Sequence, residues 1–450
     1  MKARLGTFLD RIRSSYWFLP AVMSLMAVAL SILILWMDQR YADRIPSDVW
    51  WLYGGGDEGA RVVLSAIVTS MISVTSVVFS ITIVALTLAA GQFGSRVLRN
   101  FMRDRGNQVT LGTFIATFVY AMLVLRSIRG VDDWEFVPPL AVSMGILLVF
   151  VSVGVLIYFI HHVASSIQAD SVVRSIAVET EEAIERLFPG AIGKEEPEDA
   201  DREAGKAGAP SLPARFDAEA KAVHAPRGDH LRVIDREGLM DLAVEHALVI
   251  RLRARPGDFV VCGGTLAQVW KDGDLDPELL EAVQGVFVLG HSRSLQQDAE
   301  FGILQLVEVA VRALSTGIND PFTAMNCVDR ISSLLCRLAD RTFPGGHRFD
   351  DEGNLRVVAD VVSFGGFVDS GFNQIRQNAR GSVAVLIRML EGLESIGAQI
   401  RTHERRRFLE QHAALVLQAG LSADLLGPDR LDLERAHASA LRVIHSGRGA

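Results

Sequence analysis

Between Val62 and Ala90 an otherwise apolar run carries nine hydroxyl side chains, and six of them recur with helical spacing. Ser65, Thr69, Ser73, Ser76, Ser80 and Thr87 are separated by 4, 4, 3, 4 and 7 residues. On an α-helix those intervals bring all six to one face. Two kinds of chemistry follow. Hydroxyls let membrane helices approach closely and bond across the contact. They can also line a water-filled path, replacing part of an ion's hydration shell without a charge barrier. A single chain has too few membrane helices to enclose such a path, so that reading requires a homo-oligomer. Beyond the stripe come Gln92, Arg96 and Arg99. They would form its cytoplasmic mouth, where arginines attract anions.

A second polar set flanks a helical stretch near residue 300. Gln296, Gln297, Asp298 and Glu300 precede or open it, and Asn319 and Asp320 open the next. One reading is helix caps and a surface ion pair. The other is a ligand or ion site where Asp298, Asn319 and Asp320 converge. No metal site is expected. His161 and His162 have no ligand partner near in sequence, and Cys262, Cys327 and Cys336 form no Cys-x-x-Cys pair. The sparse, odd cysteine set fits a reducing compartment. No serine-nucleophile elbow, phosphate loop, His-Glu-x-x-His or dinucleotide fingerprint is present, so no enzyme and no cofactor is expected. With a net charge of −8 and no basic block, nucleic acid is not an expected partner.

The elements that would position these residues are read from hydropathy. Mean hydropathy is +0.26. Four uncharged runs, at about 17–37, 62–90, 108–125 and 136–160, are long enough to cross hydrocarbon as helices. Arg and Lys concentrate before the first run and between the second and third, which places both termini in the cytoplasm of a bacterial inner membrane. The expected partners are the bilayer, further copies of the chain and inorganic ions. Residues 163–190 read as a helix continuing the last span. Residues 191–226, rich in Glu, Ala, Pro and Gly, read as a linker. Residues 227–290 read as a small β-rich module, 291–420 as a helical domain and 421–450 as a weakly patterned tail. Within the helical domain, helices are expected near Leu355–Phe364, Gly371–Glu394 and His403–Ala419, with Gly317 as a helix C-cap. The fold class is a membrane α-helical domain followed by a cytoplasmic α+β domain.

Two resemblances add to this. RPGDFVVCGGTLAQVW, from Arg255 to Trp270, resembles a half-repeat of biotinyl/lipoyl-like barrel-sandwich domains, without their attachment lysine. VTSVVFSITIVALTLAAGQFGSRVLRNFMRDRGNQ, from Val74 to Gln108, and SRSLQQDAEFGILQLVEVAVRALSTGINDPFTAM, from Ser292 to Met325, together resemble a bacterial family of predicted membrane proteins. That family is known only as a domain of unknown function. The resemblance implies a multi-span N-terminal half and a cytoplasmic C-terminal half, and no reaction. Two functions are therefore carried forward. One is an oligomeric ion channel or channel-like pore with a cytoplasmic assembly and gating domain. The alternative is a membrane-anchored signalling or scaffold protein that binds a ligand or partner.

Overall fold

A computed structural model describes residues 17–41, 52–94, 104–128, 136–166, 168–188 and 212–446. The chain divides into two compact units, Met1–Ser171 and Val172–Ala450.

In the first unit, four helices are long and apolar enough to cross a membrane: α1 Phe18–Tyr41, α2 Asp57–Phe93, α3 Arg105–Ser127 and α4 Pro139–Ser166. Each overruns the apolar run that marks it, because flanking polar residues continue the helix. α2 is longest; its 37 residues extend about 55 Å, well beyond about 30 Å of hydrocarbon. α3 is the centre of the bundle, with half of its most apolar stretch buried, and it packs on α1, α2 and α4. Gly112 permits the approach of α1, since a Cβ there would meet the Met23 sulfur at 2.5 Å.

Most polar side chains inside this unit find protein partners, as hydrocarbon requires. Tyr120 donates to the Ala141 carbonyl at 3.0 Å. Thr117 and Ser152 share a hydrogen bond of 3.0 Å. Asp38, buried near the end of α1, accepts from the N–H groups of Leu140 and Ala141 at 3.0 and 2.9 Å. It thereby caps the first turn of α4, whose amides lack intrahelical partners. At the other end of α4, His162 Nε2 lies 2.6 Å from Asp104. The same Asp104 accepts from Gly106 N–H and caps α3.

The second unit takes in all but the first three residues of α5, Ala169–Leu187, a helix separate from α4. Its apolar face, including Val173, Ile176 and Ile184, is buried. The short α6 (Phe216–Glu219) leads into β1 (Lys221–His224), which lies within the stretch expected as linker. Then follow β2 (Asp229–Ile234), α7 (Arg236–Glu245), β3 (Val249–Leu252), β4 (Phe259–Val260), β5 (Thr265–Trp270), α8 (Pro277–Gly285) and β6 (Phe287–Gly290). The helical part comprises α9 (Glu300–Ala313) and α10 (Pro321–Ala339). A hairpin, β7 (His347–Phe349) and β8 (Leu355–Val358), interrupts it. It closes with α11 (Phe364–Asn378), α12 (Val383–Gly397), α13 (His403–Leu421) and α14 (Gly427–Ser446). One sheet has the order β4-β2-β6; the other runs β1-β5-β3-β8-β7, with β3 and β8 parallel.

Several local expectations change. Leu355–Val358 is a strand, because Ile250 and Arg251 of β3 offer it an edge. Gly371–Glu394 is divided between α11 and α12, around a turn at Ala379–Ser382. Residues 421–450 contain α14, which buries Leu433, Ala440 and Ile444. The residue with left-handed backbone after α9 is Asn319, φ +50°, rather than Gly317. α5 packs closely on α9 because Gly302 lacks a side chain; a Cβ there would lie 2.0 Å from the Thr180 hydroxyl.

The capping role of Asp38 has a direct test. Asp38→Ala leaves two amides without acceptors, a cost of about 2–3 kcal/mol. The purified protein in detergent should melt at a lower temperature. Asp38→Asn keeps one acceptor oxygen and should lose less. Equal losses from the two variants would contradict capping by the carboxylate oxygens.

Candidate functional site

α2 is sharply two-sided. Its buried residues are Ala60, Leu64, Ile67, Met71, Val78, Thr82, Ala85, Ala89 and Phe93. All but Thr82 are apolar, and Thr82 donates to its own Val78 carbonyl at 2.8 Å. Ser65, Thr69, Ser73, Ser76, Ser80 and Thr87 are all exposed. At 3.6 residues per turn, the mid-line of this hydroxyl stripe stands about 160° round the helix from the mid-line of the buried face. The stripe therefore takes no part in packing among the described residues of this unit. From Ser65 to Thr87 it extends about 33 Å, close to the thickness of the hydrocarbon layer.

The hydroxyls divide into two groups. Ser73, Ser76 and Thr87 donate to the carbonyls of Thr69, Ile72 and Ile83 at 3.0, 3.0 and 2.9 Å. Their protons are used, so their oxygens face outward as acceptors. The hydroxyls of Ser65, Thr69 and Ser80 have no hydrogen bond among the described residues. Large apolar side chains flank the stripe, among them Ile72, Val77 and Phe79, each at least half exposed. Gln92 is exposed in the last turn of α2. It lies about 140° round the helix from the stripe's mid-line and does not extend the stripe. Arg96 and Arg99 lie outside the described residues.

The second polar set does not converge. Asp298 precedes α9, whereas Asn319 and Asp320 follow it, and its 14 residues separate them by about 20 Å. Asp320 caps α10, accepting from the Thr323 N–H at 3.1 Å and the Thr323 hydroxyl at 2.5 Å. Those bonds hold its carboxyl below the usual carboxylate range. Asn319 supplies the left-handed backbone that turns α9 into α10. Asp298 is buried and accepts two bonds from Arg293, at 2.8 and 3.0 Å, and one from the Phe301 N–H at 3.1 Å. Burial pushes its carboxyl up, against the lowering effect of Arg293. Beside it, Gln297 bonds both the N–H and the carbonyl of Ile234, each at 3.0 Å, tying the start of α9 to β2.

Asp298 and Glu300 also line a cavity of about 680 Å³ between the sheets and the helices of the second unit. Arg236, Arg253, Arg255 and Arg348 line it too. Sequence reasoning did not find these arginines, because they come from α7, the loop after β3 and the β7–β8 hairpin. The Arg255-Pro256-Gly257-Asp258 turn lies within the segment resembling a barrel-sandwich half-repeat, and that was the one signal near them. Among the described residues, no three His, Cys, Asp or Glu side chains gather as metal ligands.

Asp298→Ala would remove two hydrogen bonds from the Arg293 guanidinium, only 18% exposed, and leave it the longer ion pair to Glu300 at 3.9 Å. The expected cost is about 3 kcal/mol in chemical denaturation. Asp320→Ala removes an ordinary cap and should cost about 1 kcal/mol. Equal costs would contradict the different roles given to these two carboxylates.

The model of a family described as "Predicted membrane protein (DUF2254)" matches residues 13–395. Similar proteins include two described as uncharacterized, one from Mycobacterium tuberculosis and one from Mycobacterium bovis. Each is 31% identical over 464 aligned residues, covering 99% of this chain and 83% of the relative. No solved structure matches.

Proposed function

The chain belongs to the DUF2254 family of predicted membrane proteins, and from that premise we propose that its copies assemble around α2 into a pore for inorganic ions. The membrane is the bacterial inner membrane, with both termini in the cytoplasm. The second unit serves assembly and gating. One observation carries this reading: the hydroxyl face of α2 points away from its own bundle along a length that matches the hydrocarbon layer. Left against lipid, each hydroxyl without a partner would cost roughly 1–3 kcal/mol. Against water or ions, the same hydroxyls are satisfied. The stripe presents acceptor oxygens at Ser73, Ser76 and Thr87, a lining that receives hydrogen bonds from water and coordinates cations. Arginines at the inner mouth would pull the other way, so weak selectivity is expected.

Gating has a covalent route. α4 ends at Ser166 and α5 begins at Ala169, so a shift of α5 within the second unit is passed to a membrane helix through a very short connection. A second reading, a membrane-anchored signalling protein that binds a ligand, draws on the cavity beside Asp298.

The test is recording from purified protein in planar bilayers, with mass measurement in nanodiscs. Several copies of the 49.1 kDa chain per particle and discrete conductance are expected. Ser73→Leu and Ser76→Leu should each reduce that conductance several-fold by narrowing and drying the path. A strictly monomeric particle, silence in every salt, or conductance untouched by both substitutions would remove the pore.

A further inference from the structure

The cavity beside Asp298 has the chemistry of a ligand site, and this inference stands whether or not the chain conducts ions. At about 680 Å³ it falls within the roughly 300–1,000 Å³ typical of small-molecule sites. Its apolar wall includes Leu239 and Met240 of α7, Leu252 of β3, Val357 of β8, and Phe188 and Phe367. Elements from both sheets and from the helical part thus meet around one space.

The charges at its edge are unevenly matched. Asp298 is satisfied by Arg293 and by the Phe301 N–H. Glu300 accepts from Arg255 at 3.2 Å and from Ser370 at 2.5 Å. Asp258 accepts from the Arg255 N–H at 2.9 Å. These three carboxylates are therefore occupied by groups of the protein. Two exposed lining arginines have no acidic partner among the described residues. Arg236, the first residue of α7, makes no ion pair or side-chain hydrogen bond among the described residues. Arg253 gives its Nε to the neutral amide oxygen of Gln268 at 2.8 Å. Arg348, which also lines the space, donates to the backbone carbonyl of His347 at 2.9 Å. Against Arg236 and Arg253 stands one further lining carboxylate, the exposed Asp360.

We infer that this cavity binds a small organic anion, its carboxylate or phosphate held by Arg236 and Arg253 and its apolar body packed against Leu239, Met240 and Leu252. The planar guanidinium fork suits such oxyanions, and pairing them discharges two cations that have no acidic partner among the described residues. An organic cation would instead meet the guanidinium groups of Arg236 and Arg253. Leu187 and Phe188, at the end of α5, also line the space. An occupant would therefore touch the helix that begins next after the last membrane span.

The probe is 1-naphthyl phosphate, titrated by calorimetry into the full chain in phosphatidylcholine nanodiscs, with empty nanodiscs as the blank. Inorganic phosphate and 1-naphthylmethylammonium are the comparison ligands. Saturable binding of 1-naphthyl phosphate is expected, at least about tenfold tighter than either. The double variant Arg236→Gln, Arg253→Gln should weaken it by about tenfold or more while leaving the melting temperature unchanged, since both side chains are exposed. Met240→Trp, which fills the apolar wall, should weaken it as well. Failure to saturate at millimolar concentration, equal binding of the ammonium analogue, or affinity unmoved by the double variant would overturn the assignment.

Discussion

Hydrocarbon offers no hydrogen-bond partner, and the membrane unit is organised by that single lack. Every backbone amide left over at a helix end, and every buried polar side chain, must be answered by protein. Asp38 answers for the start of α4, and Tyr120 binds the same turn through the Ala141 carbonyl. Asp104 answers for the start of α3 while holding His162 near the end of α4. Thr117 and Ser152 satisfy each other between these two helices. These contacts fix α1, α3 and α4 against one another with few polar atoms. Among the described residues of this unit, Asn107 is the exception on the interior side, since both its amide atoms are buried without a hydrogen-bond partner there.

Set beside that economy, α2 is unusual. It gives the bundle a face that is apolar except for Thr82 and keeps six of its nine hydroxyls for the opposite side. A helix that needed only to sit in lipid would carry Val, Ile or Leu there, as α2 does on the flanks of the stripe at Ile72, Val77 and Phe79. The same physical rule that explains Asp38 therefore makes the stripe informative. On the proposed reading, the hydroxyls along this face meet a surrounding that is not hydrocarbon, although Ser73, Ser76 and Thr87 already place their protons on carbonyls of their own helix. In the second unit the corresponding signal is electrostatic. The carboxylates of Asp298 and Glu300 are answered by Arg293 and Arg255, whereas Arg236 and Arg253 at the same cavity have no acidic partner among the described residues.

Features carried by local pattern were legible in the sequence. Four apolar runs announced four long helices, and the 4, 4, 3, 4, 7 spacing placed the hydroxyls on one face before any coordinates. Features that depend on distant partners were not. Asp38 reads in the sequence as one of several acids in a loop; its role comes from amides 102 and 103 residues away. β8 is four residues long and becomes a strand only because β3 supplies an edge about a hundred residues earlier. Nearness in sequence misled in the opposite direction at Asp298, Asn319 and Asp320, which an intervening helix holds apart. The cavity arginines come from three separate segments, and no spacing rule connects them.

Because the central claim is that the hydroxyl face of α2 meets water inside the membrane, solvent access along that face is its most direct measure. Single cysteines would replace Ser73, Ser76 and, as lipid-facing references, Val77 and Ile81, in a chain whose three native cysteines are changed to serine. Each protein, in sealed bilayers, would then meet a small, charged, membrane-impermeant methanethiosulfonate. The account predicts rapid modification at 73 and 76 and little at 77 and 81, since a thiol in lipid is neither ionised nor reached by the reagent. Equal, slow reaction at all four positions would mean that the stripe is buried in helix contacts or lipid, and the pore reading would be lost.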